Sequence, residues 1–497
     1  MPLMTRRELL AGLATSSAAA RWSASRRGRS SGHKNLLIIM ADQHKRDCLG
    51  IAGDPVARTP NLDAFARSAV RFTRAYCANP VCTPSRASLL TGLYTHHHQT
   101  WNNATPWPAS HQTIAHYFSR AGYFTGLIGK MHFVDAQTHG FDYKLDFNDW
   151  FQFLGPKTKL YADELSRPNS GAGMPQIDDL WRDFGDPWKD VRSLDERQGP
   201  VAVGGISRMP EQDHFESFVA RESVRFLRRY GHRDQPFLLI CSFLKPHDPF
   251  MPAARFANMF RAEDMRLPDT WGQVNLSEVP SEVRRSILHN DPTPELRDPE
   301  QARRRIAFYY GNLAQMDDCA GIVLRELKLL GLEDETIVIY TSDHGEMLGE
   351  HGLWQKFQFY ESSVGVPLMI RVPGISPGIC QDPVSQVSIL PTVAEFCGVP
   401  LPSPLDGDSF ADQVLRPDTH RNRLIFAEYN LRTPHAKYMI RSGDYKYTFW
   451  THDMPELYNL RNDPQEMINL ALRPAYKETV GEMKEKLFAW YKPPETN

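Results

Sequence analysis

The fold is most directly predicted from the run Leu36-Leu37-Ile38-Ile39-Met40, which is followed by Asp42. Five consecutive large apolar side chains, with no alternating polar ones, are typical of a strand that is buried on both faces. Such strands occur in parallel sheets that helices cover on both sides. An acidic residue just after the run would lie at the carboxyl edge of the sheet, where open α/β sheets bind their ligands.

Apolar runs and helical patterns alternate along the rest of the chain. Further strand-like runs lie at residues 123–129, 236–244, 336–341 and 366–372. Apolar residues at helical spacing follow Thr59-Pro60, precede Gly122, and cover residues 215–230 and about 303–330. This order predicts an α/β fold with a large, mostly parallel sheet flanked by helices. Four of the strand ends carry carboxylates, histidines or lysines, which predicts one site at the edge of the sheet.

The composition divides the chain into three parts. Residues 35–385 carry the α/β pattern, and residues 386–497 read as a smaller C-terminal α+β subdomain. In the latter, strand-like segments at 424–429, 438–450 and 456–460 precede a helical segment at about 476–490. Residues 145–213 and 265–300 lack periodicity and are predicted insertions, which either line a pocket or elaborate the surface.

Residues 1–34 form the third part and read as an export signal with a basic tail. Thr5-Arg6-Arg7 resembles a twin-arginine motif, a weakly apolar stretch covers residues 9–20, and Ala18-Ala19-Ala20 offers a cleavage site. The signal predicts folding in the cytoplasm followed by export to the periplasm or beyond, with any cofactor already loaded. The alternative is a disordered basic tail.

Charge and cysteine content exclude several classes of function. Lys+Arg 57 against Asp+Glu 59 gives a net charge of −2, which removes the electrostatic argument for a nucleic-acid partner. No apolar run reaches the roughly 18 residues of a membrane-spanning helix, so no stable membrane insertion is expected. Seven cysteines in 497 residues are too few for a disulfide scaffold, and no Cys-x-x-Cys pair suggests zinc.

The stretch Cys82-Thr83-Pro84-Ser85-Arg86, which continues to Leu90-Thr91-Gly92, is the most informative about chemistry. Thr83 is a candidate N-cap and Pro84 a first-turn residue, and Gly92 can end the short helix in a left-handed conformation. Cys82 would then lie at a helix N-terminus, which favours an anion. A buried structural cysteine, a thiolate nucleophile and a modified residue are all compatible with this position.

This segment resembles the signature of type I sulfatases, members of the alkaline phosphatase superfamily. The resemblance extends from about Asn35 to the C-terminal part, and the stretch around Asp343-His344 is most similar to iduronate-type and choline-type sulfatases. It implies that a maturation enzyme oxidises Cys82 to formylglycine, whose hydrate is the nucleophile.

Asp42-Gln43 and Asp343-His344 are candidate metal ligands, because oxygen ligands with one imidazole suit a hard divalent ion. Taken singly, Asp42 could instead be a loop cap and His344 a core histidine. The resemblance implies that these four residues and the modified Cys82 hold one divalent ion, with Ca²⁺ expected and Mg²⁺ or Mn²⁺ as alternatives. Gln43 departs from the commoner Asp, which leaves the identity of the ion open.

The resemblance also assigns the cationic residues. Lys130, His132, His247 and Lys356 match residues that grip the sulfate and transfer protons, together with Arg86, although a lysine is ordinarily a solvated surface group. Asn103 matches an asparagine that contacts the substrate anion in related enzymes. The run His96-His97-His98 is predicted to lie in a polar loop at the surface or at the rim of the pocket.

The predicted activity is hydrolysis of a sulfate monoester, with a sulfated carbohydrate as the expected substrate. A phosphonate monoester hydrolase or phosphodiesterase of the same superfamily is the main alternative; a two-zinc alkaline phosphatase and a non-catalytic carbohydrate-binding relative fit less well. Aromatic residues in the irregular segments either stack on sugars or pack locally; they are Trp101, Trp107, Trp150, Trp181 and Trp188.

Overall fold

A computed structural model describes residues 34–133, 137–161, 204–289, 294–401 and 405–493. The predicted signal and all but the last residue of the basic tail lie outside the described residues. So do Trp181, Trp188 and most of the predicted insertion at 145–213.

A nine-stranded sheet forms the centre of the described structure, in the order β4-β3-β5-β1-β6-β7-β2-β8, with β9 beside β2. The strands are β1 (Asn35–Asp42), β2 (Val70–Tyr76), β3 (Phe124–Gly129), β4 (Tyr143–Leu145), β5 (Phe237–Pro246), β6 (Thr336–Ser342), β7 (Gly365–Arg371), β8 (Gly378–Cys380) and β9 (Val384–Ser385).

The first predicted strand, β1, lies in the middle of this sheet. Leu37 pairs in parallel with Leu239 of β5 on one side and with Val338 of β6 on the other. Together with β3, which pairs in parallel with β5, they make four adjacent parallel strands. The reversed strand is β7, which runs antiparallel to both β6 and β2. The prediction of a mostly parallel sheet is therefore confirmed.

Helices cover both faces of the sheet. They are α1 (Pro60–Ala66), α2 (Cys82–Thr91), α3 (Thr95–His98), α4 (Ile114–Arg120), α5 (Phe147–Leu154), α6 (Phe215–Tyr230), α7 (Ala254–Ala257), α8 (Ser281–His289), α9 (Pro299–Leu329), α10 (Glu361–Val364), α11 (Ile389–Cys397), α12 (Ala411–Leu415) and α13 (Lys477–Trp490). Among the helices described, none is both long enough and apolar enough to cross a membrane.

Successive side chains of β1 enter two different cores. Leu37 belongs to a cluster with residues of α6 and α9, whereas Ile38 belongs to one with residues of α2, α4 and α11. Both side chains are fully buried, and each such burial stabilises the fold by roughly 1.5–3 kcal/mol. This two-sided burial is the physical reason for the unbroken apolar run.

A second, antiparallel sheet follows in the C-terminal part. It contains β10 (Ile425–Tyr429), β11 (Lys437–Ser442), β12 (Tyr445–Trp450) and β13 (Glu456–Asn459), and α13 packs on it. The predicted segment 438–450 is thus two strands, because the chain turns at Gly443 with φ 59°. The amide of Glu428 in β10 donates to the carbonyl of Ala78, close before Cys82. The domain boundary near residue 385 stays a prediction.

Gly129 ends β3 directly before Lys130 and adopts φ 108°. A Cβ at this position would lie 1.9 Å from the carbonyl oxygen of Ser242 in β5. Both the backbone conformation and the close approach therefore require glycine.

We expect Gly129→Ala to lower the free energy of unfolding by about 2–5 kcal/mol, since left-handed backbone strain and overpacking add. Gly122→Ala is the matched control, because Gly122 has φ 90° and its Cβ would meet nothing within 4 Å. It should cost only the backbone term of about 1–2 kcal/mol. Urea unfolding measures both; equal losses would show that contact with Ser242 is unimportant.

Candidate active site

Four adjacent parallel strands deliver the predicted site residues to one edge of the sheet. Asp42 ends β1 and Gln43 follows it, Lys130 follows β3, His247 follows β5, and Asp343 follows β6. Because β3, β5, β1 and β6 are neighbours with the same direction, their carboxyl ends meet at one place. The structure thus brings together the residues that the sequence placed at separate strand ends.

Helix α2 carries Cys82 to this edge. Cys82 is the first residue of α2 and Val81 is its N-cap, so the prediction of Thr83 as the N-cap is wrong. The physical reason is that Asn103 caps the helix from outside: its Oδ1 accepts a hydrogen bond from the amide of Thr83 at 3.0 Å. The prediction that Gly92 ends the helix in a left-handed conformation is confirmed, with φ 70°.

Arg86 links the ends of the strands. Its Nη2 donates to Asp42 Oδ2 at 2.9 Å and its Nε donates to Asp343 Oδ2 at 2.8 Å. Nη1 donates to the carbonyl oxygen of Lys130 and to Ser242 Oγ. The side chains of Arg86, Asp42 and Asp343 are 0% exposed, so the guanidinium is the permanent countercharge that keeps two carboxylates in the interior.

The sulfur of Cys82 lies at the centre of a cluster of charged groups. Its distances are 3.2 Å to His344 Nε2, 3.3 Å to Lys356 Nζ, 3.7 Å to Asp42 Oδ1 and 3.8 Å to Lys130 Nζ. Burial raises the pKa of the thiol, but Lys130 and Lys356 outweigh it and hold the pKa well below its ordinary value. The site therefore stabilises negative charge at position 82.

The other side of this cluster suits a divalent cation. Ligand atoms of Asp42, Cys82, Asp343 and His344 all lie within 4.8 Å of one another, and all four residues are buried. His344 Nδ1 lies 2.9 Å from the carbonyl oxygen of Gly345, so Nδ1 carries the hydrogen and the lone pair of Nε2 faces the cluster. Two ionised carboxylates and one oriented imidazole fit a hard ion.

Gln43 lies between Lys356 and a buried acidic pair, Glu346 and Asp248. Its Oε1 accepts a hydrogen bond from Lys356 Nζ at 2.7 Å, and its Nε2 donates to Glu346 Oε2 at 2.5 Å and to Asp248 at 3.4 Å. These partners fix the amide so that its oxygen faces the site. Arg305 Nη2 donates in turn to Asp248 Oδ1 at 2.5 Å. A metal-ligand role for Gln43 stays a prediction.

Sequence reasoning did not identify three residues that hydrogen-bond to Gln43 or to each other. They are Glu346 and Asp248, which accept from the Gln43 amide, and Arg305, which donates to Asp248. Glu346 lies three residues after Asp343, and Asp248 directly follows His247. Carboxylates beside predicted site residues are the signal that could have identified these two. The sequence offers no comparable signal for Arg305, which comes from the distant helix α9.

Lys356 also contacts His247, one of the two histidines predicted to transfer protons. Lys356 Nζ lies 2.8 Å from His247 Nε2, and His247 Nδ1 lies 2.7 Å from the carbonyl oxygen of Asp248. Because a carbonyl only accepts, Nδ1 carries a hydrogen and Nε2 is the atom that exchanges protons with Lys356. The two side chains form a proton-sharing pair beside Cys82.

His132 faces the site in a strained conformation. Its φ is 62°, a region that non-glycine residues seldom adopt. Both ring nitrogens are buried and have no partner with hydrogen-bond geometry. Burial, with the charges of Lys130 and Arg86, lowers the pKa of its imidazole, so the neutral ring can accept a proton.

Positive φ angles recur at three other non-glycine residues of this site: Gln43 (65°), Gln355 (66°) and Phe357 (82°). Each such residue stores on the order of 1–3 kcal/mol of strain. Gln355 and Phe357 flank Lys356, so the strain lies where the lysine is positioned.

The three consecutive histidines lie outside this cluster, and the prediction that they form a polar loop is wrong. They form part of α3 because helical turns hydrogen-bond this segment back to Tyr94 and Thr95. His98 is fully buried with Nε2 3.0 Å from Ser88 Oγ, and His96 is paired with the buried Glu428. Only His97, beside Asp406, is exposed.

Two of the tryptophans pack locally. The ring of Trp107 meets that of Phe133 edge-on at 4.9 Å, and Trp150 packs against Phe215 at 5.4 Å. Both indoles are buried. Trp101 is half-buried and lies two residues before Asn103.

All seven cysteines lie in the described residues, and each is a buried free thiol.

This sheet, with a buried cysteine, carboxylates and lysines at one edge, is consistent with a hydrolase of the alkaline phosphatase superfamily, and the comparisons with known proteins place the chain there. A family model described as Sulfatase matches residues 34–399, and one described as N-sulphoglucosamine sulphohydrolase, C-terminal, matches residues 349–492. The chain therefore belongs to the type I sulfatase family and is a sulfuric ester hydrolase.

Individual relatives agree with this assignment. The choline-sulfatase of Rhizobium meliloti (strain 1021) is 31% identical, in a match that covers 89% of this chain and 83% of that protein. The arylsulfatase of Clostridium perfringens (strain 13 / Type A) is 30% identical, with 91% and 93% covered. The crystal structure of the phosphonate monoester hydrolase of Agrobacterium radiobacter is similar with a TM-score of 0.76 at 25% identity, covering 92% of this chain and 95% of that one.

We expect Arg86→Met to lower the free energy of unfolding by about 3–5 kcal/mol, because it leaves Asp343 buried without its guanidinium partner and leaves Asp42 with Lys130 as its remaining cationic partner. Arg86→Lys is the control that keeps the charge but loses the planar fork, and it should cost less. Chemical denaturation of both variants, in the presence of a chelator, measures the difference. An Arg86→Met protein as stable as the wild type would contradict this role.

Proposed function

We propose that the protein hydrolyses sulfate monoesters of carbohydrates, with a formylglycine formed from Cys82 as the nucleophile and one divalent ion, Ca²⁺ in preference to Mg²⁺ or Mn²⁺, as cofactor. The observation that carries the proposal is the environment of Cys82 Sγ. Two lysine ammonium groups, an imidazole and a carboxylate lie within 4 Å of this buried atom. A structural cysteine in the interior requires none of these groups.

Asp42, Asp343 and His344, with the residue at position 82, would hold the ion. When bound, a divalent ion supplies Lewis-acid stabilisation of developing negative charge. Gln43 could add its amide oxygen, because this oxygen has two lone pairs and the hydrogen bond from Lys356 uses one of them.

The chain's own cations suit the anion that reacts. Sulfuryl transfer resembles phosphoryl transfer, in which charge spreads over equatorial oxygens and catalysis rests on positioning and electrostatics. Lys130 and Lys356 are both buried, and their Nζ atoms lie 3.8 and 3.3 Å from Cys82 Sγ. They can neutralise the charge on the sulfuryl oxygens. Arg86 is fully engaged by Asp42 and Asp343 and acts by holding them. Asn103 adds its side-chain amide at the N-terminus of α2.

Two histidines would transfer the protons. The Lys356–His247 pair can deliver a proton to the departing alcohol oxygen, because His247 Nε2 and Lys356 Nζ share one hydrogen bond beside Cys82. His132, neutral and in contact with the side chain of Cys82, is suited to accept a proton from the hydroxyl of the hydrated formylglycine that does not attack. Loss of that proton expels sulfate and restores the aldehyde.

The direct test is peptide mass spectrometry across Cys82 in protein co-produced with a formylglycine-generating maturation enzyme, the partner that the proposal requires. We expect the thiol to be replaced by an aldehyde, and we expect sulfate-ester turnover to rise with the aldehyde fraction. Cys82→Ser, which has a single hydroxyl, should lose multiple turnover. Full activity of the unmodified thiol protein, or normal turnover by Cys82→Ser, would overturn the proposal.

His247→Asn tests the acid role through the leaving group. General acid catalysis contributes about 10²–10⁴-fold when the leaving alcohol is poor. We therefore expect a loss of that size in kcat/KM on an alkyl or sugar sulfate, and a much smaller loss on 4-nitrophenyl sulfate, whose phenolate leaves unassisted. Equal losses on both substrates would place His247 in binding instead of proton transfer.

A phosphonate monoester hydrolase remains the second candidate, because a hydrolase with that activity has a TM-score of 0.76 to this chain. Sulfate and phosphonate monoesters present similar anions to the same lysines. Relative kcat/KM on 4-nitrophenyl sulfate and 4-nitrophenyl phenylphosphonate decides between them, and the proposal requires the sulfate to be preferred.

Export by the twin-arginine route is also proposed, and the N-terminal sequence of the mature protein tests it.

A further inference from the structure

Three aromatic side chains and one arginine lie close to the active site without a part in the proposed chemistry. We call Trp101, Phe357 and Tyr429 the aromatic rim; all three are partly exposed. The arginine is Arg432, exposed in the loop that joins β10 to β11.

One connection to the reacting centre runs through Asn103. Asn103 Oδ1 accepts from the amide of Thr83, the residue after Cys82, at 3.0 Å. Trp101 precedes Asn103 by two residues, a span of at most about 7 Å. The guanidinium of Arg432 lies over the ring of Trp101, 4.8 Å from its centroid.

A second connection is independent of the first and reaches the same loop from the other side. Lys356 Nζ lies 3.3 Å from Cys82 Sγ, and Phe357 is the next residue, in its strained backbone conformation. The ring of Phe357 lies 6.0 Å from that of Tyr429, three residues before Arg432. The β10–β11 loop is thus connected to both the Asn103 and the Lys356 sides of the nucleophile.

The charges at this rim favour an anion. Arg432 has no carboxylate within 4 Å among the described residues, unlike Arg421, Arg461 and Arg473, which are all ion-paired. The cation–π contact with Trp101 positions the guanidinium, and its N–H groups remain able to bind a ligand. Lys437, 5.1 Å from the ring of Tyr429, is buried, donates to Gln358 and is faced by Glu282 and Glu456, so it is not available to a ligand. Glu282 also acts on Tyr429, but it lies 3.6 Å from His435 of the same loop, which leaves Arg432 as the group that can bind an anion.

We propose that the aromatic rim and Arg432 form the subsite for the alcohol part of the substrate, and that this part carries a second anionic group, a carboxylate or a further sulfate, which Arg432 binds. This inference rests on the proposed function and adds the substrate class. The aromatic faces suit a pyranose ring, and the planar fork of Arg432 suits an oxyanion bound through two hydrogen bonds.

The test compares pairs of substrates that differ only in the second charge. These are pyranosides with a sulfate ester at position 2, 3 or 4, in which carbon 6 is a carboxylate, a sulfated hydroxymethyl group or a free hydroxymethyl group; product masses report which ester is cleaved. The carboxylate and sulfate arms distinguish the two sources of the anion. The measured quantity is the ratio of kcat/KM for the anionic substrate to that for its hydroxymethyl counterpart.

We expect the matured wild-type protein to prefer an anionic member, and Arg432→Met to lower the ratio by about 10- to 100-fold, as for loss of hydrogen bonds to a charged group. Methionine keeps an apolar stem on Trp101, so packing is preserved. Arg432→Lys should fall between the two, because it keeps the positive charge without the planar guanidinium.

Arg67→Met, at an exposed arginine that follows α1, is the control and should leave the ratio unchanged. The preference should weaken with salt, since Arg432 is exposed.

A wild type without preference for either anionic member, or an Arg432→Met protein with an unaltered ratio, overturns the inference. Those results leave the proposed function standing if the hydroxymethyl sulfates and 4-nitrophenyl sulfate are cleaved. Failure of the matured protein to cleave any sulfate ester overturns the proposed function, and the inference falls with it.

Discussion

The structure depends on one buried guanidinium that holds two carboxylates at the edge of a parallel sheet. Arg86 reaches this edge from helix α2 and binds Asp42 and Asp343, which end the neighbouring strands β1 and β6. Burying two carboxylates without a countercharge would cost several kcal/mol each. The arginine therefore fixes the helix that carries Cys82 to the strands that carry the candidate metal ligands, and the relative position of all these groups follows.

Charge at this edge is arranged in opposite senses on the two sides of Cys82. Asp42 and Asp343 are suited to a cation and Lys356 to an anion, while Lys130 contacts both Asp42 and Cys82 and so links the two. A monoester that reacts at position 82 requires both. The antiparallel C-terminal sheet contributes from outside, because β10 is hydrogen-bonded to the segment before Cys82 and its loop approaches Trp101.

The sequence predicts the elements well where burial is two-sided. A short unbroken apolar run favours a strand that is covered on both faces, and β1 and its neighbours agree with this prediction. The strand-end rule then predicts the meeting of Asp42, His247 and Asp343. The N-cap of α2 could not be predicted, because Asn103, which caps it, is remote in sequence. Nor could the contact of Arg305 with Asp248, since it depends on packing between distant segments.

The proposed mechanism requires a divalent ion bound beside position 82 by Asp42 and Asp343. The most direct measurement is metal content of the purified, dialysed protein by mass spectrometry, beside the Asp343→Asn variant, with unfolding temperature recorded before and after chelation. We expect one divalent ion per chain, lost in the variant, and a lower unfolding temperature after chelation. A wild type that binds no ion and yet hydrolyses sulfate esters at an undiminished rate in chelator would contradict the account.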